Sequence, residues 1–206
     1  MKSSLGVVLF FAIGCLIGAI SHFSTDMHSV SMYVLYALLF QVGISIGSNK
    51  NLKGLIKELR VKMLLIPVAT IAGTLLFSCL AGFLLSRWSV SECLAVGSGF
   101  GYYSLSSILI TQFKEPSLGL QLATELGTIA LLSNIFREMI ALLGIPFFRK
   151  HFGQFAPISV AGVSSLDVLL PSIVRYSGKE MIPIAIFHGI IIEVSVPLFV
   201  SFFCQL

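Results

Sequence analysis

The chain has 206 residues, of which 56 % are hydrophobic and only 11 % charged, with a formal net charge of +4. Soluble domains carry roughly 25 % charge, and the mean hydropathy of +0.99 points the same way. Apolar stretches recur along the whole chain, long enough to cross the roughly 30 Å hydrocarbon core of a bilayer. This excludes a soluble enzyme, a nucleic-acid binder and a disordered tail. The pattern predicts an all-α polytopic membrane protein with about five full transmembrane helices and two broken or re-entrant helical segments. Residues 1–206 read as a single membrane domain, with a three-span part over 1–85 and a motif-bearing part over 86–206.

Residues 5–20 form the first predicted span. Ala12-Ile13-Gly14-Cys15 is similar to a lipoprotein cleavage site, but the apolar run continues to Ile20 and further spans follow, so an uncleaved helix is expected. After a polar turn over 21–29 containing Asp26, residues 30–46 make the second span. Residues 47–62 then hold Lys50, Lys53, Lys57, Arg60 and Lys62 against Glu58. The positive-inside rule places this segment, and with it the N-terminus, in the cytoplasm. Residues 63–85 run outward as the third span.

The pattern then changes. Residues 93–111 are apolar on average but interrupted by Gly97, Ser98, Gly99, Gly101, Ser104, Ser106 and Ser107, with Tyr102 and Tyr103 among them. Residues 118–148 predict a long helix ended by Pro146 and by Arg149-Lys150. Residues 156–175 are again interrupted, by Pro157, Gly162, Ser164, Ser165, Asp167 and Pro171, and 181–206 form the last span. If both interrupted segments re-enter, Arg149, Lys150, Arg175 and Lys179 lie inside and only Arg87 and Lys114 outside. If both cross, Lys114 moves inside and Arg149 and Lys150 lie outside. The charge rule favours re-entry, and either path puts the C-terminus outside.

Breaking a helix frees backbone N–H and C=O groups, which a bilayer tolerates only where protein or a water-lined cavity receives them. Paired broken segments are a sequence pointer to a transporter's binding site. Close helix packing explains the glycines but neither the prolines nor Asp167. Ser104-Leu105-Ser106 and Ser165-Leu166-Asp167 match, too briefly to establish a repeat. The four cysteines, Cys15, Cys79, Cys93 and Cys204, have no metal or redox spacing and read as packing residues.

Arg137, Glu138, Asp167 and Glu193 lie within apolar stretches, where each costs roughly 2.5–3.5 kcal/mol at the bilayer centre. Asn134, Arg137 and Glu138 share one helical face. Arg137 and Glu138 stand about 100° apart around the axis, so Arg137 is expected to pair with another acid or with carbonyls freed by a break. That leaves Glu138 and Asp167 as an acidic pair able to hold a proton and yield it to a cation. The competing reading is a structural arginine–carboxylate bridge. His188 reads as a hydrogen-bonded packing residue, and Glu193 as a residue near a water-filled crevice. No aspartyl dyad, GxSG, HExxH or P-loop is present, so enzymatic readings and a bound metal or cofactor find no support.

Taken together, Gly99-Phe-Gly-Tyr-Tyr-Ser-Leu-Ser-Ser107, Asn134-Ile-Phe-Arg-Glu138, Gly162-Val-Ser-Ser-Leu-Asp167 with Pro171, and His188-Gly189 resemble the lysine exporter (LysO) family over nearly the whole chain. The resemblance implies export of L-lysine and its toxic analogues from a prokaryotic cytoplasm across the inner membrane by proton antiport. It also implies a relation to the cation/proton antiporter and bile-acid symporter folds. The family's two transport-linked acids fall on Glu138 and Asp167. Tyr103, Ser104, Ser106, Ser164, Ser165 and His188 are expected to line the cavity, with Asn134 and Arg137 orienting the acids. Longer members carry about three further N-terminal spans, so a second copy of the chain or a separately encoded short membrane subunit is an expected partner. The alternatives are an antiporter or symporter of another ion, or a non-transporting membrane subunit.

Overall fold

A computed structural model describes residues 61–206, with a few isolated helical positions before them. The first two predicted spans, the basic segment, Asp26 and Cys15 lie outside the described residues. What is described is helical throughout. Helix α1 is Val61–Leu84, α2 Val90–Gly97, α3 Tyr103–Leu118, α4 Leu120–Phe152 and α5 Ala156–Ala161. A 3₁₀ turn, Gly162–Leu166, leads to α6 (Leu170–Ser177), and α7 (Ile182–Cys204) closes the chain. Three stretches are long and apolar enough to cross a membrane: Met63–Leu84, Leu120–Phe152 and Lys179–Cys204. Large apolar side chains such as Leu65, Phe77, Phe83, Leu143 and Phe202 face outward from them, as expected of surfaces that meet lipid.

Between these long helices the chain turns back twice. Ser89 opens α2 with a reciprocal cap, its hydroxyl accepting from the Glu92 N–H while Glu92 accepts from the Ser89 N–H, which satisfies two donors at a new helix start. Arg87, just before α2, ion-pairs with Glu125 near the start of α4. Glu92 of α2 and Lys114 of α3 both lie within electrostatic reach of Cys204 at the end of α7. The outer ends of α2 and α3 therefore share one end of the bundle, and the pair forms a helical hairpin. The second interrupted segment folds back at the opposite end, where Ile158 of α5 and Ile173 of α6 pack with Ile145 near the end of α4 and with Met181.

The two hairpins meet tip to tip. The Val163 N–H donates to the Phe100 carbonyl across 3.0 Å, joining the two breaks by backbone alone. Gly162 has φ +61°, and a Cβ there would overlap the Phe100 carbonyl oxygen. Phe100 itself has φ 45°, a conformation costing an L-residue roughly 1–2 kcal/mol. It is held by a fully buried ring set edge-on to Phe199, with centroids 6.1 Å apart. Around this junction Leu105, Leu109 and Ile110 of α3 pack with Leu126 of α4 and with Ile192, Val196 and Val200 of α7.

Several expected boundaries shift for local reasons. Pro146 does not end α4, which continues to Phe152. The proline removes one ladder bond in a helix already near its end, and Arg149, Lys150 and His151 complement the dipole of the last turn. Pro157 and Pro171 do not break helices but start them, at the first turns of α5 and α6, where a missing N–H is harmless. The Ser89 cap moves the start of the first interrupted segment back to Val90.

Gly162→Ala should lower the thermal unfolding midpoint, followed in detergent through the single tryptophan, Trp88, well beyond Gly119→Ala. Gly119 also has positive φ, +79°, but a Cβ there meets nothing within 4 Å, so it isolates the backbone cost from the overlap at the tips. Equal shifts would contradict the tip junction.

Candidate functional site

Helix α4 runs past both tips, and three of its side chains serve them. Asn134, 4 % exposed, accepts from the Gly101 N–H at 2.7 Å. Its amide donates to the Ala130 carbonyl at 2.9 Å and more distantly to the Val96 carbonyl and Ser106 hydroxyl. These contacts receive groups freed by the first break. A Cβ on Gly99 would overlap the Asn134 amide nitrogen, so the backbone must be bare where Asn134 reaches it. One turn on, Arg137 serves the second break. Its Nε donates to the Val160 carbonyl and Nη2 to the Ser159 carbonyl, each at 3.3 Å, while Nη1 donates to the Thr74 hydroxyl of α1. Of the two partners expected for Arg137, it takes the carbonyls, and among the described residues no arginine–carboxylate bridge forms at Arg137.

Glu138 turns to the other side of α4. It is 4 % exposed and accepts from the Ser164 hydroxyl at 3.2 Å. Asp167 follows the 3₁₀ turn and is exposed; its carboxylate accepts from the adjacent Val168 N–H. Tyr103, the first residue of α3, lies within electrostatic reach of both acids. Sequence separates Glu138, Asp167 and Tyr103 widely, and the meeting of the tips gathers them.

The serines divide by break. Ser106 is fully buried beside Asn134, and Ser104 is half-buried in the first turn of α3. Ser165 is fully buried, donating to the Ala185 carbonyl at 3.0 Å and standing 3.0 Å from His188 Nδ1. The other ring nitrogen of His188 is 3.1 Å from the Thr70 hydroxyl, which itself donates to the Ile66 carbonyl. His188 is thus the hydrogen-bonded packing residue expected of it, and its two bonds tie α1 to the second break through α7.

A cavity of about 880 Å³ opens between α1, α2 and α4, and only Asn134 and Arg137 of the expected lining residues border it. Tyr103, Ser104, Ser106, Ser164, Ser165, His188 and both acids do not. The roughly 100° step between neighbouring helical residues sends Arg137 to one side of α4 and Glu138 to the other. Sequence reasoning also undervalued Glu193, which is 7 % exposed and whose Oε2 has no hydrogen-bond partner among the described residues. Its signal was its position four residues after Gly189, on the same face of α7.

Arg137→Lys should destabilise the fold nearly as much as Arg137→Met, because one ammonium cannot reach three acceptors in the geometry a guanidinium fork provides. Thermal unfolding of the three proteins in detergent checks this. Full rescue by lysine would mean that only the charge matters.

Comparison with known proteins places this geometry. Residues 8–204 match the family described as Lysine exporter LysO. A relative named "Lysine exporter LysO" from Escherichia coli is 33 % identical over 198 residues, 96 % of this chain and 61 % of that protein. A "Putative lysine exporter" from Haemophilus influenzae is 34 % identical over 174 residues, 84 % of this chain and 83 % of that protein. The chain therefore spans about three fifths of the length of the first relative. No solved structure matches it. The chain belongs to the lysine exporter LysO family.

Proposed function

We propose that this chain forms the transporting core of an exporter for L-lysine and its toxic analogues, exchanging substrate for protons across a prokaryotic inner membrane. The observation that carries the reading is the gathering of Glu138, Asp167 and Tyr103 where two opposed re-entrant tips meet. Broken helices meeting beside ionisable groups are how transporters form midplane sites. Arg137 spends its donors on Ser159, Val160 and Thr74, which supports the reading over one in which the acids merely glue the bundle.

The work to be done suits this chemistry. Moving one positive charge outward against an inside-negative potential costs about 2.3 kcal/mol per 100 mV, and exchange for one entering proton removes that term. Glu138 and Asp167 would take the proton and a lysine ammonium in turn. Ser104 and Ser164, on the two tips, would meet the polar parts of the substrate. With both hairpins re-entrant, Arg149, Lys150, Arg175 and Lys179 fall on the cytoplasmic side and Arg87 and Lys114 on the outer side, as the positive-inside rule prefers. The N-terminus is then cytoplasmic and the C-terminus outside. A second copy of the chain or a short membrane subunit is the partner that this reading expects.

Glu138→Gln and Asp167→Asn should each abolish efflux of preloaded labelled lysine from proteoliposomes under an imposed proton gradient, with membrane insertion and unfolding midpoint unchanged. Retained efflux in either variant would remove that acid from the mechanism. Loss of insertion would instead favour a structural role.

A further inference from the structure

Glu193 is the buried acid for which the proposed acidic pair has no use. It lies on α7, one turn beyond Gly189, whose missing Cβ lets the helix pack against Leu166 of the second tip. That shared face directs Glu193 toward the junction, with Ile192 and Val196 beside it in the core. Asp167 of the second break and Tyr102 of the first are the titratable groups within its electrostatic reach. The other ionisable groups around α7 belong elsewhere. Glu92 and Lys114 stand near Cys204, about 16 Å farther along the helix, and Arg137 faces the His188 end. With Oε2 buried and without a hydrogen-bond partner among the described residues, a charged carboxylate here is costly unless a proton or a cation joins it.

We propose that Glu193 is a third ionisable member of the site and, in place of the alternation at Glu138 and Asp167 set out above, carries the exchanged proton, leaving that pair to the substrate ammonium. The coupling part rests on the export reading above; the proton seat does not. The step is simple: an O–H bond forms at Oε2 with a proton from the outward side and breaks on release to the cytoplasmic side, with no change of oxidation state. Repulsion between ionised Asp167 and Glu193 links the two events, because a cation arriving at Asp167 removes a reason for Glu193 to stay protonated.

Two measurements on the whole chain test this. Infrared difference spectra between acidic and alkaline buffer should show a protonated-carboxyl band that Glu193→Gln removes and Glu193→Asp retains at a shifted position. An unchanged spectrum in Glu193→Gln overturns the proposal whatever the substrate is. In proteoliposomes, Glu193→Gln should cut proton-driven lysine efflux by about 100-fold, the order expected on losing a positioned proton-transfer group, while lysine-for-lysine exchange persists. Glu138→Gln should lose both activities. Coupled efflux with the unaltered pH profile overturns the proposal, as does joint loss of efflux and exchange in a Glu193→Gln protein with an unshifted Trp88 unfolding midpoint. Absence of any lysine exchange in the unmodified protein would instead count against the export reading, with the infrared result still deciding on Glu193.

Discussion

The bond from the Val163 N–H to the Phe100 carbonyl is the contact on which the rest of this structure depends. Two helices stop inside the bundle, where the peptide groups they release are shut away from water and need partners. Making the breaks face each other lets one supply a donor and the other an acceptor. The demand for close approach then accounts for Gly162, whose Cβ would overlap the Phe100 oxygen. It also accounts for a buried phenylalanine held at positive φ.

What the tips leave unsatisfied, α4 supplies. Asn134 takes an N–H from the first break and Arg137 takes two carbonyls from the second. Glu138 receives a hydroxyl from the turn between α5 and α6. One short stretch of α4, residues 134–138, thus contacts both hairpins from two of its sides. The arrangement around it is inverted: α1 is followed by a hairpin from one end, and α4 by a hairpin from the other. Inverted repeats with discontinuous helices are a recurrent transporter architecture.

Much of this was legible in the residues. The apolar periods located α1, α4 and α7, and the glycine and serine runs located the breaks. Charge counting favoured re-entry, and each interrupted segment forms a helical pair whose two outer ends share one end of the bundle. Partners were harder, because they depend on which turn of one helix faces which tip. Arg137 was readable only as far as a choice between acids and carbonyls. His188 was readable as a hydrogen-bonded packing residue, but its hydroxyl partners, Thr70 and Ser165, were not, since they lie 118 and 23 residues away. Proline was misleading at Pro146, Pro157 and Pro171, since its meaning changes between the start, the interior and the end of a helix.

The directions of the half-helices have a consequence for charge. Helix α3 presents its N-terminus at Tyr103, beside Glu138 and Asp167, and a helix N-terminus carries about half a positive elementary charge. Helix α5 ends at Ala161, and Arg137 binds its final carbonyls, where the partial charge is negative. The peptide dipoles therefore sort the ionised side chains by sign without bringing arginine and acids together. A tethered guanidinium is the strongest competitor that a carboxylate site for a diffusing cation could have. By occupying it with the Ser159 and Val160 carbonyls and the Thr74 hydroxyl, the fold commits the Arg137 guanidinium to the break itself.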